Sequence, residues 1–565
     1  MKFECNSSEY STTTPGQDEY IYSRLRESQG DFRLIELQPG HMSDPIRITL
    51  INASLSEPPS YEALSYVWGD PQDVYPIYVN ERRFFIRHNL TSALNSLQLA
   101  DTTRILWVDA ICINQADLHE RSTQVRIMGD IYKYASKVLV WLGSDTESSR
   151  TTFEYLNQNR ARLLQESADH TPRLEIPDPI WKALTLDVFA RSYWSRLWIV
   201  QELILAPQIQ VFCGSSTVDG DLLLAMRKLG PRQYHCPYPL SLQQPMENLH
   251  AKLALSYLKS LGWFRQRRQL NGLKSFSIKE LFTNFQKRHC SDPRDMVFGL
   301  LGLTDTDEGI IKPDYRKSVS EVYTDFASSY IRTCRQIDII LPRRKRARSD
   351  LPSWVPDWSQ PFPVGTFDSF CNLYNVAGTS PLSASFSSKP YELYLEGFQF
   401  RSIVQVIDAA DFMPHQGVDI SALSRFVTVA RELAFSHSGS QFYPTGEEIQ
   451  RAVARTLSGD LDWKCERLPL GSTIFDTNTG AGIVPDDSYT HCFIRERQQD
   501  VLGNVLLVVL YRMNRELSFM LLSGGYIGLA PRNARPGDLV CIILGSNLPV
   551  VLRRKNKRYT LIGSW

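Results

Sequence analysis

The order of apolar runs predicts an α/β fold with a parallel sheet toward the amino end, then a mainly helical region, then a β-rich α+β region. Three observations carry this. The strand-like runs EALSYVW (62–68), ILWV (105–108) and KVLVWLG (137–143) alternate with helix-like IRHNLTSALNSLQLA (86–100) and Leu118–Ala135, the pattern of βαβ units. Residues 208–340 read as mostly helical, with one strand at Ile209–Cys213 after Pro207. Beyond Tyr391 come the runs YELYLEGFQF, YIGLA, DLVCIIL, PVVLRR and YTLIGSW, with amphipathic helices expected at 419–436 and 446–457.

Composition bounds the function. A chain of 565 residues is long enough for about three or four domains. With 62 Lys plus Arg against 61 Asp plus Glu, the net charge of +1 supplies no global field for steering onto nucleic acid or an anionic membrane. At 43% hydrophobic residues the chain is too apolar for intrinsic disorder. The opening MKFECNSSEYSTTTPGQDEY lacks a secretory signal, and no apolar stretch approaches the ~18 residues of a membrane span. The ten cysteines are scattered singly, which fits reduced thiols, and no metal site is expected from them or from the three His-Cys neighbours. A cytoplasmic location is the expectation, with neither membrane nor nucleic acid as partner. Walker A, GxGxxG, HExxH and GxSxG patterns are missing.

The elements divide the chain as follows. Residues 1–55 are a polar tail and a β-rich lead-in, RLIELQPG and IRITLINASL, that precedes or edges the α/β domain at 56–207. The helical region is 208–340, and 341–363 is a linker with a basic cluster (Arg343, Arg344, Lys345, Arg346, Arg348) and the Trp/Pro-rich LPSWVPDWSQPFP. That cluster is either a solvated loop or a nuclear address. The α+β region is 364–565.

Within the α/β domain, three strand runs end alike: at Gly69-Asp70-Pro71, at Asp109, and at Gly143-Ser144-Asp145. Ligands of open parallel sheets bind beyond the carboxyl ends of the strands, so small and acidic residues gather where a ligand would sit, although Gly and Asp also make ordinary turns. Asp117 followed by Glu120 resembles a capping box opening a helix whose Val125, Met128 and Tyr132 form a core-facing stripe. Gly129 inside it costs about 1 kcal/mol relative to Ala, tolerable if the helix lies close against the sheet.

The segment YWSRLWIVQELILAP (193–207) leaves almost no polar face on a helical wheel, which predicts a buried helix. It contains Glu202, one turn beyond Trp198. A buried carboxylate must find a partner, gain a proton or face a cleft. Arg191 and Arg196 are local candidates for an ion pair; the other reading is a carboxylate tuned for chemistry.

YEALSYVWGDP (61–71), LWVDAICINQADLHERSTQVRIMGDIYKYASKVLVWLG (106–143) and SRLWIVQELILA (195–206) resemble the three signature blocks of the fungal heterokaryon incompatibility (HET) domain. CSDPRDMVFGLLGL (290–303), PDYRKSVSEVYTDFA (313–327) and GYIGLAPRNARPGDLVCIILGSNLPVVLR (525–553) resemble segments that follow it in large family members. The resemblance implies a fungal non-self recognition protein whose activation triggers programmed cell death. HET domains are in turn distantly similar to TIR domains, flavodoxin-like α/β modules. Carried over, the catalytic Glu of NAD-cleaving TIR members falls on Glu202. About fifty residues separate VLVWLG from SRLWIVQEL here, whereas the TIR equivalents are nearly contiguous.

Two functional readings follow. In one, Glu202 is the catalytic carboxylate of an NAD nucleosidase, with NAD as substrate and no cofactor. Ser65, Trp68, Gly69, Asp70, Asp109, Asn114 and Trp198 then form the substrate-binding set. A carboxylate suits a ribosyl carbon because the transition state is cationic. Such a module would assemble as a homo-oligomer on activation. In the other, the domain is a non-catalytic signalling module that docks on an unidentified incompatibility partner protein, and Glu202 is structural.

Overall fold

A computed structural model of the chain describes residues 20–26, 30–41, 44–169, 176–229, 246–271, 276–304, 311–341, 347–360, 374–387, 392–408, 411–412, 420–439, 441–458 and 517–564. The chain forms two compact units: Met1–Trp194 with Gln201–Leu229 and Leu261–Gln266, and Ser195–Val200 with Gly230–Ser260 and Arg267–Trp565.

The first unit is built on strands β1 (Asp31–Leu37), β2 (Arg47–Ser54), β3 (Glu62–Tyr66), β4 (Val74–Val79) and β5 (Arg82–Arg87), helix α1 (His88–Leu97) and strand β6 (Arg104–Trp107). There follow α2 (Asp109–Cys112), α3 (Leu118–Tyr134), β7 (Lys137–Trp141), α4 (Glu147–Gln158), α5 (Arg160–Asp169), α6 (Asp178–Ala183), α7 (Ile199–Leu205, with Ile199 and Val200 grouped in the second unit), β8 (Ile209–Cys213), β9 (Ser216–Asp219) and α8 (Gly220–Leu229). The nine strands form one sheet in the order β5-β4-β2-β1-β6-β3-β7-β8-β9.

Its middle is parallel: β3 pairs with β6 on one side and β7 on the other, and β7 pairs with β8. Numbered by chain order among themselves, these four strands run 2-1-3-4, the flavodoxin-like order, so the chain reverses its direction of travel across the sheet at β3. The outer strands make the sheet mixed, since β1 pairs antiparallel with both β2 and β6. The lead-in strands RLIEL and RITLINAS therefore continue the same sheet across residue 55. Phe32, Leu34 and Ile35 of β1 are fully buried, and Arg104 crosses from β6 to Glu62 of β3 at 2.6 Å.

Two tyrosines tie helix α3 to β3 and the residue before it. Tyr61 Oη donates to the Ile131 carbonyl at 2.6 Å, and Tyr132 Oη donates to the Leu64 carbonyl at 3.1 Å; Gly129 is buried. Asp117 caps the helix by accepting from the His119 and Glu120 amides. Glu120 does not return the favour to Asp117. Its carboxylate receives both terminal nitrogens of Arg33, at 2.6 and 3.0 Å, and the Asn114 amide at 2.7 Å, because the fully buried guanidinium of β1 is the stronger demand on it.

The segment expected as one apolar helix is divided. Ser192–Ser195 is a 3₁₀ turn, and α7 begins only at Ile199. Between them Arg196 bridges in parallel to His289: the Leu197 amide donates to the His289 carbonyl at 2.9 Å, and the His289 amide to the Ser195 carbonyl at 2.8 Å. This strand-like pairing takes up backbone groups a continuous helix would have kept.

The second unit contains α9 (Met246–Asn271, with Leu261–Gln266 grouped in the first unit), α10 (Ile278–Phe285), α11 (Asp295–Leu301) and α12 (Val319–Cys334). It continues with β10 (Ala384–Phe386), β11 (Leu393–Leu395), β12 (Gly397–Asp408), α13 (Ile420–Ser438), α14 (Ile449–Ser458), β13 (Leu517–Leu522), β14 (Ile527–Pro531), β15 (Leu539–Ile543), β16 (Val550–Lys555) and β17 (Arg558–Ser564). β10 and β11 pair with each other, and the rest form a six-stranded antiparallel sheet, β14-β13-β12-β15-β16-β17. The helices expected near 419–436 and 446–457 are α13 and α14. Of the basic cluster, Arg343–Arg346 lie outside the described residues, while Arg348 pairs with Asp350 at 3.1 Å. Among the described residues no helix is long and apolar enough to cross a membrane.

Candidate functional site

The carboxyl ends of β3, β6 and β7 meet at the reversal point of the sheet, where doubly wound folds place their ligands. The chain leaves β3 through Trp68 and Gly69; Gly69 has φ +82° and Gly143, just past β7, has φ +99°, a backbone region that favours glycine. The run of Gly after these strands is thus a requirement of the turns themselves.

Asn89, in the first turn of α1, spans the two strand ends. Its Nδ2 donates to the Val67 carbonyl at 2.5 Å, and its Oδ1 accepts from the Trp141 indole at 3.0 Å. Trp68 is half-buried, donates its indole N–H to Asp109 at 2.7 Å, and carries the Arg87 guanidinium 5.2 Å from its ring centre. Arg87 also donates to the Gly69 carbonyl at 2.9 Å. Asp109 Oδ1 accepts from the Ala110 amide at 2.7 Å. Asp70 is exposed and turns back to accept from the Gln72 amide, and the Asn114 carboxamide oxygen accepts from the Ala116 amide.

Deeper on β3, Ser65 shares a face with Trp107, because Ala63 is the register partner of Trp107 and Ser65 lies two residues on. There Ser65 Oγ donates to Glu202 of α7 and lies 2.6 Å from Tyr193 Oη. With the single serine proton committed to the carboxylate, Tyr193 is the donor to Ser65, so the polarity runs Tyr193 to Ser65 to Glu202. All three are buried, Glu202 being only 3% exposed.

Arg191, a candidate partner for Glu202, is engaged elsewhere. It bonds Asp187 at 3.0 and 3.3 Å and the carbonyls of Leu142 and Ser144 at 3.0 and 2.7 Å, closing the end of β7. Burial alone would raise the Asp187 carboxyl, but hydrogen bonds from Thr146, Ser148 and Arg191 outweigh it and hold that carboxyl below the usual range. Trp198 belongs to the second unit, where its indole donates to the buried Asp295 at 3.1 Å; Tyr315 Oη donates to the other oxygen of that carboxylate at 2.5 Å.

The structure therefore brings Ser65 together with Glu202, and Trp68 with Asp109, while Gly69, Asp70 and Asn114 are occupied in their own turns. Sequence reasoning missed Tyr193 and Asn89, although both stand inside the runs it singled out, YWSRLW and IRHNL. Among the described residues no group of three or more His, Cys, Asp and Glu side chains is placed to hold a metal ion.

Comparison with known proteins finds similarity over the same residues. Residues 61–202 match the family model described as heterokaryon incompatibility protein (HET). The chain is also 30% identical over 419 residues to "Heterokaryon incompatibility protein 6, OR allele" of Neurospora crassa, a match covering 63% of this chain and 62% of that relative. The aligned region thus spans less than two thirds of the curated relative. No solved structure matches.

Proposed function

We propose, from the premise that this chain carries a HET domain at 61–202, that it acts in fungal non-self recognition and that activation of the domain leads to cell death by cleaving NAD at the nicotinamide–ribose bond. The observation that carries the chemical part is the pairing of Glu202 with Ser65 on β3, beside the strand ends where a doubly wound sheet receives its ligand. A carboxylate there would oppose the positive charge that develops on the ribose as the bond to nicotinamide breaks. Trp68, with its indole anchored on Asp109, offers a flat half-buried surface to an aromatic ring.

A second reading has its own observation. Glu202 is closed off from solvent and already hydrogen-bonded, as a structural carboxylate would be. In that reading the domain signals by binding a partner and no bond is broken. The enzymatic reading requires the cover over Glu202 to open when copies assemble.

NAD consumption by the purified full-length chain, measured at high protein concentration, separates the two. Turnover abolished by Glu202→Gln, a nearly isosteric change, supports cleavage. Wild-type protein that leaves NAD intact, or a Glu202→Gln variant that still kills a fungal host while remaining folded, supports the non-catalytic module and removes the enzymatic reading.

A further inference from the structure

Helix α7 spans only seven residues, Ile199–Leu205, and carries Glu202 at its middle. A helix of under two turns does not hold itself together in water, because nucleation is costly and its last carbonyls have no partner within the helix. Its position must come from tertiary contacts: its side chains are buried along its length, and its last carbonyls need partners from outside the helix. The carboxyl-terminal end is held by one side chain from a distant part of the chain. Arg265, in the part of α9 that belongs to the first unit and 2% exposed, donates Nη1 to the carbonyls of Leu203 at 2.7 Å and Ala206 at 2.6 Å. Its Nη2 reaches the Pro207 carbonyl at 3.3 Å. The other edge of the fork, Nε and Nη2, meets the two oxygens of Asp221 in the first turn of α8, at 2.5 and 3.0 Å.

We infer that Arg265 is a positioning residue for Glu202: its guanidinium fixes the end of α7 and so keeps the Glu202 carboxylate on Ser65. The geometry needs arginine and not simply a cation. A planar fork can serve the helix carbonyls on one edge and a carboxylate on the other; an ammonium is a single point of charge. The positive charge also lies at the carboxyl-terminal end of α7, where the helix dipole favours it. Asp221 in turn orients the fork, so the pair links the ends of two helices that flank β8 and β9 in the chain.

As a statement about catalysis this rests on the enzymatic reading of Glu202; as a statement about structure it does not, and the test keeps the two apart. Arg265→Lys in the full-length chain retains the charge and loses the fork. Hydrogen exchange resolved by residue should show amides at 201–206 losing at least tenfold in protection, while those of β1 and β6 keep theirs. Should the lysine variant not fold, Asp221→Asn, which leaves the arginine in place but releases its orientation, should show the same local loss at a smaller size. Unchanged protection at 201–206, or a loss spread equally over β1 and β6, overturns the inference. If the wild type cleaves NAD, Arg265→Lys should lower kcat at least tenfold with KM within about twofold. Local loosening with kcat unaltered overturns the positioning role. A wild type that does not cleave NAD sinks the enzymatic reading instead, and the exchange measurement still decides this one.

Discussion

At Ser65 one hydroxyl donates to a buried carboxylate. Ser65 donates to Glu202 and accepts from Tyr193, so its removal and that of the tyrosine hydroxyl are not equivalent. Ser65→Ala withdraws a donor from a carboxylate that is 3% exposed, and leaving such a group short of a hydrogen bond costs about 1–3 kcal/mol or more. Tyr193→Phe removes the outer bond and leaves the serine's bond to the carboxylate in place, a loss of about 1 kcal/mol. Urea titration should therefore rank Ser65→Ala as the more destabilising; equal losses, or the reverse order, would mean that the carboxylate does not depend on the serine. The sequence pointed to both Ser65 and Glu202 by independent routes, one at a strand end and one in an apolar run. It did not show that the two touch, because their sequence separation of 137 is closed by the sheet and by α7, neither of which is a local property.

At the scale of the element, α3 shows which parts of a local motif survive the tertiary fold. Asp117 as the cap and the buried Met128 and Tyr132 were legible, since each depends only on local helical spacing. The reciprocal half of the capping box was not. Glu120 is drawn away by Arg33, whose guanidinium is fully buried on β1 and also donates to the carbonyls of Cys112 and Ser23 at 3.0 and 2.5 Å. The lost capping bond is worth about 1 kcal/mol, whereas stranding a buried arginine costs about 3–5 kcal/mol, so the ion pair wins. Glu120→Ala should accordingly cost about 3–5 kcal/mol in chemical denaturation. A loss nearer 1 kcal/mol would mark the residue as a cap after all. The division of the run at 193–207 was illegible for a similar reason: its apolar composition is compatible with any buried backbone, and the pairing that splits it joins Arg196 to a residue far along the chain, His289.

Taken over the whole molecule, the alternation of strands and helices foretold the α/β class, the helical middle and the β-rich end, because each is a periodicity that short windows preserve. The antiparallel extension of the first sheet was not foretold, since strand order depends on which edges pair and not on any one strand's residues. The same burial that makes these units compact also sets their response to alkali. Burial raises the thiols of Cys213 and Cys541, and pushes those of Cys112 and Cys290 up to about 12. It also raises the hydroxyls of Tyr20 and Tyr443 above the ordinary tyrosine range. Each of these groups keeps its proton in the folded state at pH values where the unfolded chain has released it. Between about pH 9 and pH 12 the folded state therefore binds more protons than the unfolded, and stability must fall as the pH rises. For Cys112, whose thiol burial pushes up to about 12, the loss at pH 10 relative to neutral pH is on the order of 1 kcal/mol. Urea midpoints measured at pH 7.5 and pH 10 should drop accordingly, and Cys112→Ala should show a smaller drop than the wild type. A midpoint that holds or rises with pH would mean that these thiols reach solvent in the folded protein, and that the interior around α2 is not closed.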